Sequence, residues 1–277
     1  MRLNINESEQ GNLTGISMKE FSIININARM RYHDFPGDDM PILFIHGLGC
    51  ASSLDYPQVA AMAHLSQHRR ILVDLLGSGF SDKPEHFNYS MNDHVDYLEA
   101  FIDYLGLEGF IIYGHSMGGA IAISLAARCE AKLKGIILSE ANLDSGGGFF
   151  SKKIASYEEQ EYLLTGHTQI IQENQDDQGN ASENWAASLS VSSPKAVYKG
   201  SQSLIEGQSP SWRNLFYSLN IPRAFIFGEE SLPDPDLQAL TNENVHIEIV
   251  KNAGHSMAWE NPVGLATAIK RSISLIR

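Results

Sequence analysis

Short apolar runs, each closed by a small or polar residue, punctuate the chain: PILFIHG at 41–47, RRILVD at 69–74, GFIIYG at 109–114, KGIILSE at 134–140, PRAFIFGE at 222–229 and VHIEIV at 245–250. Runs this short and without alternation suit strands covered on both faces, as in a parallel sheet. Between them, residues 56–67, 91–105, 117–130 and 257–276 repeat their apolar positions at helical spacing. Strand and helix taking turns in this way predict an α/β fold, a mostly parallel sheet with helices on both faces. Ahead of these, EFSIINI at 20–26 and RMRYHD at 29–34 predict a hairpin-like start joined at Asn27-Ala28.

The rhythm breaks once. From Asn142 to Leu219 no buried-strand pattern occurs, and the stretch is rich in Gln, Asn, Ser and Tyr at helical spacing. An interruption this long between two core strands predicts a small helical subdomain rather than a loop. The chain is therefore read as a core of 1–141 and 220–277 with an insertion at 142–219.

A length of 277 residues is enough to bury a sizeable core. The formal charge of -13, from 20 basic and 33 acidic residues, comes with no Lys/Arg cluster. That argues against a nucleic-acid partner or an anionic membrane surface, and it leaves a small-molecule substrate open. Two cysteines, Cys50 and Cys129, are too few for a disulfide framework or a zinc site and predict reduced thiols. No apolar run reaches membrane-spanning length. The leader MRLNINESEQGN lacks the basic-then-apolar layout of a signal peptide. The compartment expected is the cytoplasm, and the oligomeric state is not legible.

Candidate chemistry centres on YGHSMGGA, residues 113–120. A serine between glycine corners, at the end of a buried strand and the start of a helix, has its hydroxyl pushed outward in a strained turn. In an open parallel sheet ligands bind at this edge, beyond the carboxyl ends of the strands. The helix that follows offers free N–H groups and a dipole favouring negative charge beside the hydroxyl. Ser116 is the candidate nucleophile.

At this point the chain resembles the α/β-hydrolases over nearly its whole length, in FIHGLG (44–49), DLLGSGFSDKP (74–84), GHSMGG (114–119) and NAGHSMAWENP (252–262). The resemblance implies an α/β-hydrolase fold with the 142–219 insertion as a lid, and a Ser-His-acid triad needing no metal or organic cofactor. A serine hydroxyl needs a base to take its proton, and histidine suits because its free pKa of about 6.5 lies near working pH. Of ten histidines, His255 follows the last buried strand and matches the family's base. His46 and His115 lie inside strand-end motifs and read as structural. The backbone N–H of Met117 and, by resemblance, of Leu48 would form the oxyanion hole.

The acid departs from the family pattern. Most members carry an aspartate three residues after the glycine ending the 223–228 strand, but here that residue is Ser231. Some branches take the acid from the end of the preceding strand, which in this chain is Glu140. A carboxylate closing an apolar strand is expensive unless paired, so Glu140 is preferred, with Glu229, Glu230 and Asp234 as alternatives and Asp144 further out. Asp74 ends a strand too and reads as a loop-holding residue.

The lid's aromatics (Phe149, Phe150, Tyr157, Tyr162, Trp185, Tyr198, Trp212) are candidates for an apolar pocket, although most are expected to hold the lid together. Met257 and Trp259, beside the histidine, and Asn142, just past Glu140, are the substrate-binding candidates. The leading function is hydrolysis of an ester, thioester or related carbonyl. Carbon–carbon bond hydrolysis or haloperoxidase-like chemistry would use the same triad. A hydrolase-like receptor with little turnover is the alternative from another class. Dehalogenation and epoxide opening need a carboxylate nucleophile where Ser116 stands.

Overall fold

The computed structural model describes residues 18–175 and 181–276. The apolar runs become strands: β1 (Lys19–Ile23), β2 (Ala28–Phe35), β3 (Asp39–Ile45), β4 (His68–Val73), β5 (Phe110–His115), β6 (Leu133–Ser139), β7 (Arg223–Gly228) and β8 (His246–Val250). They form one sheet in the order β1-β2-β4-β3-β5-β6-β7-β8. The β1/β2 and β2/β4 pairings are antiparallel and the rest are parallel. All six residues of β5, at the sheet's centre, are buried, as its unbroken apolar run requires.

Helices cover both faces. Met91–Leu105 and Met117–Cys129 pack over one face, on a cluster that includes Leu43, Ile112, Ile136 and Phe225. Pro262–Ser274 covers the other, on a cluster that includes Phe44, Ile111, Ile137 and Ile226. The Met91–Leu105 helix has the predicted bounds because both ends carry stop signals. A Ser90/Asp93 capping box opens it, and Gly106 at φ 60° closes it.

Three sequence-derived elements differ. The single helix expected at 56–67 is two short helices, Ser52–Asp55 and Pro57–Ala61, and a 3-10 turn, Ala63–Leu65. Pro57 has no N–H to continue the first helix and instead starts the second. The helix expected at 257–276 divides at Asn261, whose side chain accepts from the Gly264 N–H at 2.8 Å and caps a fresh start at Pro262. The β1–β2 turn holds a 3-10 segment, Ile24–Ile26, before Asn27 reverses the chain at φ 48°.

The described residues between β6 and β7 form no strand. They fold into helices, among them Phe149–Ala155, His167–Gln175, Ser182–Ser190, Pro194–Glu206 and Trp212–Ser218. Ile154, Tyr162, Ile170, Leu189, Val197 and Tyr198 make a cluster of their own. Trp212 and Phe216 belong instead to the main core, where Trp212 donates to Ser124 Oγ at 3.2 Å. The leader and residues 176–180 of the insertion lie outside the described residues. Among the described residues no helix is long and apolar enough to cross a membrane.

Candidate active site

Ser116 stands between the end of β5 and the helix Met117–Cys129 at φ 51°, ψ −121°. A residue with a Cβ is strained there, and such strain persists only where the surroundings enforce it. They do: the Ser116 N–H donates to Ser139 O at 3.0 Å, and its carbonyl accepts from Gly119 N at 2.9 Å and Asn142 N at 3.3 Å. The flanking glycines let the helix lie against the sheet. A Cβ on Gly114 would fall 2.6 Å from Gly118 O, and one on Gly118 would overlap the carbonyl oxygens of Ile45 and His46.

Met117 opens the helix, so its N–H has no intrahelical partner. Leu48 lies in the loop after β3, where its carbonyl accepts from Trp185 Nε1 of the insertion at 2.8 Å. That bond sets the orientation of the loop that faces the serine. Gly47 approaches so closely that a Cβ there would sit 3.3 Å from Ser116 Cβ.

His255 follows β8, and its side chain is 54% exposed. Glu140 directly follows β6 at φ 45°, with a side chain only 10% exposed. Glu140 Oε2 lies 3.8 Å from His255 Nδ1, and Oε1 accepts from the Gly228 N–H at 2.8 Å. Burial alone would raise the Glu140 pKa. The His255 ring, the Gly228 N–H and the Ser231 hydroxyl outweigh it and hold the carboxyl below its ordinary value. Ser231, standing where most of the family has its aspartate, thus helps keep the Glu140 carboxyl charged.

Three of the rival carboxylates have partners of their own. Glu229 accepts from Asn252 N at 3.1 Å, Asp234 from Asp236 N at 2.7 Å, and Asp144 pairs with Arg213. Glu230 is tied through its backbone N–H to Ala253 O at 3.0 Å. Among the described carboxylates, Glu140 is the one within ion-pair reach of His255.

The residues read as structural are held as such. Asp74 is fully buried and accepts from Ser53 N (2.9 Å), Ser53 Oγ (2.7 Å) and Phe80 N (3.0 Å). Leu75 N–H donates to His46 Nε2 at 3.1 Å, which leaves Nδ1 as the donor to Gly47 O at 2.8 Å. His115 is buried against the Ser139 backbone, and burial first, then the neighbouring His255, drives its pKa well down. A neutral His115 ring therefore lies 4.8 Å, centroid to centroid, from His255.

A cavity of about 490 Å³ is lined by Ser116, His255 and Glu140, and also by Leu48, Asn142 and Glu260. Phe149, Phe150 and Trp185 close it from the insertion, and the Phe150 and Trp185 rings stack at 4.2 Å. Of the seven aromatics expected from the sequence, these three line the cavity. Met257 and Trp259 do not. Met257 is 1% exposed in the core, and Trp259 turns inward to donate to Asp55 Oδ1 at 3.2 Å. Both border only a small void of about 20 Å³ behind the main cavity. On the short helix after His255, Met257 and Trp259 turn away from the cavity while Glu260 lines it, which adjacency in sequence does not reveal. Sequence reasoning did not single out Asp55, which sits in no motif and whose partners Ser188 and Trp259 lie far along the chain.

A family model for the alpha/beta hydrolase fold matches residues 40–262. The chain belongs to that family. A stretch of 117 residues is 35% identical to 2-hydroxymuconate semialdehyde hydrolase of Pseudomonas putida, covering 42% of this chain and 41% of that protein. A stretch of 111 residues is 31% identical to haloalkane dehalogenase 2 of Mycobacterium bovis, covering 40% of this chain and 38% of that one. The match thus spans about two-fifths of the curated relatives' length. Among solved structures, the N-acyl homoserine lactonase AidH superposes with TM-score 0.74 over 94% of this chain and 98% of its own, at 18% identity. A carboxylesterase of Nitrososphaera gargenis gives 0.75 over 93% and 98%, at 17%. At such identities the superpositions speak for the fold.

Proposed function

We propose that this chain is a serine hydrolase that cleaves an ester, thioester or related carbonyl bond of a small substrate through an acyl-enzyme. Ser116 Oγ attacks the carbonyl carbon while His255 Nε2 takes the hydroxyl proton. The N–H groups of Leu48 and Met117 hold the oxyanion of the tetrahedral intermediate. His255 then gives its proton to the leaving group, and the carbonyl re-forms on Ser116. Water, deprotonated by the same nitrogen, attacks the acyl group and releases the acid, returning the proton to Ser116. Glu140 keeps Nδ1 protonated and steadies the imidazolium formed in each half.

The observation that carries this reading is Glu140 Oε2 at 3.8 Å from His255 Nδ1, in the cavity that Ser116 also lines. The contact is longer than a hydrogen bond, and catalytic bonds commonly tighten only with substrate in place.

The cavity wall contains Glu140 and Glu260 and, among the described residues, no lysine or arginine. An unpaired substrate carboxylate held there would lack a counter-charge. That favours an uncharged carbonyl substrate. Carbon–carbon bond hydrolysis is the second reading, supported by the likeness to the Pseudomonas putida enzyme. The two free thiols support the cytoplasm as the compartment.

Steady-state hydrolysis of short-to-medium p-nitrophenyl esters tests the proposal. Wild type should turn over and Ser116→Ala should not. Glu140→Gln should lose about 10³- to 10⁴-fold in kcat, as loss of a triad acid does elsewhere, while Glu230→Gln stays near wild type. No wild-type turnover above Ser116→Ala would move a binding function ahead. A crippled Glu230→Gln would keep the mechanism and change the acid.

A further inference from the structure

Asp55 closes the short helix Ser52–Asp55 and is 6% exposed. Its Oδ1 accepts two hydrogen bonds from far along the chain, from Ser188 Oγ at 3.3 Å and Trp259 Nε1 at 3.2 Å. The Cys50 thiol lies beside the same carboxyl. Each of the three belongs to a different part of the site. Ser188 lies in the insertion helix Ser182–Ser190, whose Trp185 also donates to Leu48 O. Trp259 lies in Met257–Glu260, which begins two residues after His255. Cys50 lines the cavity in the loop that carries Leu48.

A buried carboxyl is a costly way to fill space, and an apolar side chain would pack there without desolvation. What the carboxyl adds is acceptor capacity for several donors at one point. The groups facing it are Cys50 and Tyr56 from its own segment, Asp74 after β4, and Tyr113 and His115 of β5. Tyr56 Oη among them is buried and has no hydrogen-bond partner. Asp55 therefore faces donors and no lysine or arginine among the described residues. Burial, with Asp74 adding to it, pushes the carboxyl up to about 7 against the pull of Cys50, Trp259 and Ser188.

We propose that Asp55 is a positioning residue of the hydrolytic site, one carboxyl that docks the insertion helix Ser182–Ser190 and the helix behind His255 onto the oxyanion loop. The assignment rests on the reading of Ser116 and His255 as the reacting pair. Losing the Trp259 bond frees the helix that fixes His255, so it acts on kcat. Losing the Ser188 bond loosens the cavity roof, so it acts on KM.

The test combines kinetics with hydrogen exchange on the full chain. Asp55→Ala should lower kcat at least tenfold at a temperature well below its melting point. Asp55→Asn, which keeps the acceptor oxygen, should restore most of that loss. Trp259→Phe should reproduce the kcat loss and add little to Asp55→Ala, whereas Ser188→Ala should raise KM several-fold with kcat held. Exchange in Asp55→Ala should rise together at 182–190 and 257–260. A folded Asp55→Ala with wild-type kcat and KM, or kcat losses of Asp55→Ala and Trp259→Phe that multiply, would overturn the clamp. If wild type hydrolyses no ester, the hydrolase reading fails. The exchange measurement then decides the clamp alone, and a rise confined to one helix or absent from both rejects it.

Discussion

Glu140 and Ser231 meet because β6 and β7 are parallel neighbours whose carboxyl ends lie side by side. Residue 231 therefore stands beside the Glu140 carboxyl, which comes within 3.8 Å of His255 Nδ1 from β6. The Ser231 hydroxyl, at the position where most of the family has an aspartate, helps keep the Glu140 carboxyl charged. Adding Ser231→Asp to Glu140→Gln should restore at least tenfold of the lost kcat, measured on the same p-nitrophenyl ester. No recovery would mean that the aspartate cannot reach His255 from β7. Ser231→Asp alone should reduce activity at mildly acidic pH, because two adjacent carboxylates resist joint ionisation and one then binds a proton. Ser116 and His255 were legible as candidates because each stands in a motif closing an apolar strand. The acid was narrowed to a few residues by the missing aspartate, and side-chain direction, invisible in sequence, separates them.

At the scale of elements, the serine turn depends on a helix lying almost on the backbone of β3 and β5. Gly118 is where that approach is closest, and what a side chain would meet there is the Ile45 and His46 carbonyls, which cannot turn aside. Gly118→Ala should cost about 3 kcal/mol, the upper end of ordinary overpacking, in urea unfolding. A loss under about 0.5 kcal/mol, typical of open surface, would show that the helix can shift outward. The strands and their order of appearance were readable because buried parallel strands leave unbroken apolar runs. The breaks at Pro57 and Asn261 carried local signals, a proline and a cap, that helical periodicity alone overran. The helix after His255 kept its amphipathic pattern and gave no sign that Met257 and Trp259 face inward.

Over the whole molecule, buried titratable groups set opposing pH dependences. His94, pushed down to about 3 by burial, and His115, also driven well down by burial, stay neutral in the fold. An unfolded chain protonates them below their ordinary value of about 6.5, so stability falls as pH drops through that range. Glu140, held below its ordinary value, contributes stability above that value and loses it as pH falls further. Asp55 runs the other way. Its carboxyl titrates at about 7 in the fold against 3.8 when free, so the fold holds the extra proton between those values. Stability from this group declines as pH rises through the window, and the cost is complete above it. Asp55→Asn should therefore gain on wild type in melting temperature from pH 5 to pH 8. A gap that stays constant would contradict the raised value.

The sequence by itself determined the α/β architecture, the place of the helical insertion and the choice of Ser116 and His255 as candidate reacting residues. All of these follow from local pattern: apolar runs, glycine corners and motifs at strand ends. The tertiary structure decided which carboxylate faces His255, which aromatics line the cavity and that Trp259 points inward to Asp55. Those outcomes depend on contacts such as Asp55–Trp259, 204 residues apart, or Asp55–Ser188, 133 apart. Such pairs exist only once the sheet has ordered its strands and the insertion has closed over their ends.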